Sequence, residues 1–155
     1  MSRGDAALVG HWHSGPFDVG AMETSDLAFL PDGRGWSEFS SASGELSVGR
    51  FHWSCPAPGV LELRYRLRVN GTWDPNPAGS DASGGFGTVT DHGPDVEVIR
   101  TAYRIGPELP PYAGAPVTAL VLDQPVEFVR YFERGRTEIA ESDDASAVPV
   151  PYRTG

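Results

Sequence analysis

From Val60 to Val69 the chain alternates over ten residues. Leu61, Leu63, Tyr65, Leu67 and Val69 fall on one side, and Glu62, Arg64, Arg66 and Arg68 on the other. Only an extended strand sends every second side chain to the same face. A strand with one apolar and one charged face belongs in an antiparallel sheet covered on a single side.

Shorter stretches repeat the pattern along the chain. Leu8–Ser14, Asp26–Leu30, Trp36–Ser40, Leu46–Trp53, Asp95–Ile105, Val117–Leu122 and Val126–Glu133 all read as strands, with a short one at Phe86–Asp91. Turn residues separate them. Pro31-Asp32-Gly33-Arg34-Gly35 supplies the fixed φ, the side-chain acceptor and the positive φ of a tight turn. Within Leu46–Trp53 the apolar phase slips, Leu46 and Val48 against Phe51 and Trp53, which predicts a β-bulge at Gly49-Arg50. Eight or nine short strands with almost no helical period make the chain all-β. A sandwich satisfies that count as well. Because hairpin follows hairpin, the expected architecture is an up-and-down antiparallel β-barrel of eight or more strands. Its closure should come from two distant stretches lying side by side. These are the strand of Trp12 and the strand over Val126–Phe132, with the Arg130 guanidinium stacked on the indole.

At 155 residues this is one domain, placed at residues 8–135, followed by an acidic, proline-containing stretch, 136–155, read as a mobile tail. Residues 70–95 hold Pro75, Pro77 and several glycines and read as a long loop or lid. The formal charge is −9, from 21 acidic against 12 basic residues, all of the latter Arg. That balance argues against nucleic acid and anionic membranes as main partners. There is no apolar run long enough for a membrane span and no leader-like segment, and the single Cys55 suits a reducing cytosol.

On the first strand Gly10-His11-Trp12 resembles the Gly-x-Trp fingerprint of the calycin superfamily, and within it of lipocalin-like proteins. Thr90-Asp91 is similar to the Thr-Asp pair of those barrels. Arg130, with Arg134 as second choice, matches the arginine that packs on the tryptophan. Phe29-Leu30-Pro31-Asp32-Gly33-Arg34-Gly35 is similar to the hairpin of small bacterial lipocalin-like domains. The resemblance implies a barrel that holds a small, largely apolar molecule.

The apolar faces should converge inside. There they either fill an eight-stranded interior or line a ligand cavity, and the resemblance favours the cavity. The candidate lining is Trp12, Phe29, Trp36, Leu63, Tyr65, Leu67, Tyr103, Phe128 and Arg130. Two other functions stay open: a packed barrel acting through protein contacts, and a small-molecule isomerase or other barrel enzyme using Cys55 or a His. No catalytic set is assigned, because nothing orients His52 on Cys55. His11 and His13 share a face, but no thiol or carboxylate stands at ligand spacing, so no metal and no cofactor is expected. Asp74, Asn76 and Asp81 do not match a calcium loop. Arg64, Arg66 and Arg68 read as a solvated row, with an anion-docking stripe as the alternative.

Overall fold

The first and last strands are hydrogen-bonded neighbours, Trp12 opposite Arg134 and His13 opposite Glu133. The computed structural model describes residues 4–17, 22–75 and 84–152. Among the described residues nine strands follow one another: β1 Gly10–His13, β2 Glu23–Phe29, β3 Arg34–Ser41, β4 Glu45–Ala57, β5 Val60–Asp74, β6 Gly85–Pro94, β7 Val98–Glu108, β8 Val117–Val126 and β9 Val129–Arg134. All pairings are antiparallel. The ring β1-β2-β3-β4-β5-β7-β8-β9 closes on itself as an eight-stranded barrel, compatible with a calycin-like fold. Strand β6 is the ninth, set beside β5. The long β5 pairs with β7 through Val60–Arg64 and with β6 through Leu67–Asp74. Part of the stretch expected as a lid is therefore strand; residues 76–83 of it, with Asn76 and Asp81, lie outside the described residues.

The tryptophan–arginine stack exists, with a different arginine. Arg134, not Arg130, lies over Trp12, its guanidinium carbon 4.1 Å from the ring centre. Arg134 also donates to the backbone carbonyls of Val9, at 2.8 Å, and Ala7. The indole N–H of Trp12 donates to Leu8 O at 2.9 Å. The correction comes from the last turn. The stretch expected as one strand over Val126–Phe132 reverses at Glu127-Phe128, so β9 starts only at Val129. Arg130 then sits about 13 Å along the strand from the level of Trp12. It is exposed, with Nε on Leu122 O at 2.9 Å.

The bulge is present at the expected level and belongs to the other strand. β4 runs regularly against β3. Against β5, Arg50 pairs with Leu67 and Phe51 with Tyr65, so the extra residue is Arg66. It reverses the faces of β5 from that point on. Leu61, Leu63 and Tyr65 point inward; beyond the bulge Arg68 and Asn70 point inward, and Leu67 and Val69 point out. The solvated row therefore keeps Arg64 and Arg66 and loses Arg68.

The apparent slip in β4 has another cause: both of its faces are covered. Inside, Trp12, Phe29, Phe51, Leu61, Leu63 and Phe132 fill the lower half of the barrel, where β1 begins and β9 ends. Phe29 stacks on Phe51 and Trp53 at 5.8 and 5.2 Å between ring centres. A turn of 3-10 helix, Ala6–Leu8, brings Leu8 fully buried into that core. Each such side chain contributes about 1.5–3 kcal/mol through burial. Outside, Ala28, Leu30, Trp36, Leu46, Val48 and Val69 form a second cluster, covered by Ile139, Ala145 and Val150. The segment read as a tail thus lies along the barrel wall as far as residue 152. Arg50 ties it down: Nε meets Ser146 Oγ at 3.0 Å and Asp144 at 3.3 Å, and the Tyr152 ring lies 3.9 Å from its guanidinium carbon.

Candidate functional site at the upper end of the barrel

The upper half of the interior is polar, and three strands make it so. The bulge turns Arg68 of β5 inward. β3 presents Ser37 and β4 presents Ser47, both small. Between them Gly49 stands opposite Arg68 in the ladder. A methyl group there would lie 2.5 Å from the Tyr65 ring and 2.6 Å from the Arg68 guanidinium, so the missing side chain is the room these two use. Tyr65 forms the floor, edge-on to Phe51 with 5.5 Å between ring centres.

Into this space comes Glu127. The β8–β9 turn has two residues between the paired Val126 and Val129, at φ 47° for Glu127 and 70° for Phe128. This is the positive-φ pair of a type I′ turn, usually made with Asn and Gly. Holding two residues with side chains there costs on the order of 1–3 kcal/mol each. Glu127 Oε2 accepts from Ser37 Oγ at 2.6 Å and from Arg68 Nη1 at 3.1 Å. Its side chain is 8% exposed, that of Arg68 25%. Ser25 Oγ donates to the Glu127 carbonyl at 2.8 Å. Arg68 Nη1 also reaches Ser47 Oγ at 2.9 Å, and Nε reaches Asp95 at 3.3 Å.

Ser37 has one proton and gives it to the carboxylate, so the Tyr65 hydroxyl, 2.7 Å away, donates to Ser37. Burial and the nearby Glu127 carboxylate push the Tyr65 pKa up and keep the phenol protonated. Burial works against the Arg68 cation, but Glu127, with Tyr65 and Asp95, together outweigh it and raise its pKa above the ordinary value. Two donors from different strands thus converge on one carboxylate oxygen. Chemically this is a cradle for an anionic oxygen, roofed by Phe128 lying edge-on against Phe39 with 5.5 Å between ring centres.

Of the candidate lining residues, Tyr65 belongs to this site. Trp12, Phe29 and Leu63 lie in the packed lower core. Trp36 and Leu67 face outward into the second cluster, Leu67 because of the bulge. Tyr103 is at the lower end, its hydroxyl on Asp5 Oδ2 at 2.6 Å and 3.7 Å from Cys55 Sγ. Phe128 is 81% exposed at the upper rim, and Arg130 is exposed nearby. Arg68, Ser37, Ser47 and Glu127 were not legible as a group. The phase break near Gly49-Arg50 lies at this level but comes from the covering of both faces of β4, not from the bulge at Arg66 that turns Arg68 inward.

His11 and His13 face outward onto Asp26, His11 at 3.5 Å. His52, also outward, is 3.0 Å from Arg66. Among the described residues no three of His, Cys, Asp and Glu are grouped to hold a metal ion, and no helix is long and apolar enough to cross a membrane. No family model, no curated protein and no solved structure matches this chain.

Proposed function

We propose that the protein binds a small, largely apolar molecule carrying one acidic group, in the upper half of a lipocalin-like barrel. The observation that supports this is the inward guanidinium of Arg68 beside Ser37, two donors already aimed at one carboxylate oxygen. A half-buried cation with hydroxyl neighbours is matched by a carboxylate, and the adjoining Tyr65, Phe39 and Phe128 rings suit an apolar body. The single Cys55 fits a cytosolic setting.

Decanoate and decanol form the test, by calorimetric titration. Decanoate should bind and decanol should bind at least about tenfold more weakly, since a charge-assisted hydrogen bond contributes about 1.5–3 kcal/mol. Arg68→Met should erase the difference. Equal affinity for acid and alcohol, or none for either, defeats the proposal.

A second reading has its own support. The lower barrel is filled, and the upper rim exposes Phe128, Met22 at 71% and Trp73 at 46%. Met22 and Trp73 line an open groove of about 340 Å³ with Thr24 and Ser40. Such a rim suits contact with another protein. Failure of decanoate binding together with a defined complex lost on Trp73→Ser would favour it.

A further inference from the structure

Given that Arg68 is the anion anchor proposed above, we infer that the Glu127-Phe128 turn is a built-in stopper. Its carboxylate occupies the position of the ligand's acid group, and the turn must swing out for a ligand to enter.

The competition is one for one. Ser37 has a single hydroxyl proton, now donated in a hydrogen bond to Glu127 Oε2, and the Nη1 group of Arg68 is shared between Glu127 and Ser47. An incoming carboxylate can take these donors only where Glu127 gives them up. The turn itself does not call for these residues. Two positive φ angles are met at less strain by Asn and Gly, so what Glu127 and Phe128 supply is contact with the barrel mouth.

The tip is also set apart from the rest of the sheet. The β8–β9 register shifts between Val121 and Val126, so the last pair before the turn, Val126 with Val129, is separated from the regular ladder at Val121–Tyr131. Past the fully buried Val126, little apolar area holds the two turn residues, since Phe128 is 81% exposed. Such a tip, strained in its backbone and tied mainly by polar contacts to Ser25, Ser37 and Arg68, is suited to moving as a unit.

The test compares wild type with Glu127→Asn. Asparagine accepts the left-handed conformation and suits the turn, but it is neutral and one methylene shorter. Decanoate affinity, by calorimetry, should rise about tenfold, because the closed state no longer lowers the competent fraction. A second readout needs no ligand: modification of Arg68 by phenylglyoxal, followed by peptide mass spectrometry, with exposed Arg64 as internal reference. Arg68 should react several-fold faster in the variant. Equal decanoate affinity in the two proteins overturns the stopper and leaves the binding site standing. Where neither protein binds decanoate, faster modification of Arg68 keeps the stopper and sinks the ligand. Unchanged modification in that case sinks both.

Discussion

Gly49 and Arg68 are cross-strand partners, and the side chain absent from one is the space taken by the other. The site therefore depends on a residue that contributes no atom to it. Gly49→Ala should displace the Tyr65 ring and the Arg68 guanidinium together. Overpacking of this kind costs about 1–3 kcal/mol, to be read from urea unfolding. Decanoate binding should fall with it, whereas the neighbouring outward substitution Arg66→Ala should leave both within about 0.5 kcal/mol of wild type.

The lower end makes a separate prediction. Arg134→Met should remove the cation–π contact with Trp12 and two hydrogen bonds to main-chain carbonyls, lowering stability by about 1–3 kcal/mol. Arg130→Met, on the same strand but exposed, should stay within about 0.5 kcal/mol. Equal losses at both positions would contradict the register of β1 against β9.

The outer face should show in the pH dependence of stability. Glu38 of β3 stands opposite Asp26 of β2 and within electrostatic reach of Asp144. Burial, and then the Asp26 and Asp144 carboxylates, push its pKa up to about 8 from the ordinary 4.5. A group whose folded pKa is raised contributes fully below its unfolded pKa, and that contribution is lost as pH rises through the folded one. Stability should therefore decline between about pH 4.5 and 8, with other groups superimposed. Glu38→Gln should flatten this slope and be the more stable form near pH 9, by on the order of 1–3 kcal/mol. Thermal melts at several pH values read both.

The covering segment should matter as structure. Asp144 is fully buried, and Arg50, its cationic partner, is 11% exposed. Arg50→Ala leaves that carboxylate without its cation and should cost about 3 kcal/mol or more. A chain ending at residue 138 should expose Trp36, Val48 and Val69, seen as increased binding of an apolar dye and a lower melting temperature.

Much of the fold could be read from local pattern. The hairpin of β2 and β3 around Asp32-Gly33 and the closing of first strand on last follow from alternation and turn chemistry. The site was hidden because its residues look ordinary in a row. By alternation alone Arg68 is one of three solvated arginines, and only the extra residue Arg66 turns it inward. Glu127 reads as a strand residue between Val126 and Phe128, because neither it nor Phe128 announces a turn. The slip in β4 misled for a related reason, since alternation cannot tell a bulge from a strand covered on both faces.

By itself the sequence determined that this chain is all-β, built of hairpins, with a tryptophan strand and an arginine strand meeting to close a barrel. Period-two patterning and turn residues act over a few neighbours, and a sequence displays them directly. Which arginine meets Trp12, which face of β5 carries its arginine inward, and what occupies the barrel mouth were decided by the tertiary structure alone. A shift of one residue in register exchanges the two faces of a strand, and that register is set by pairing with strands far away in the chain.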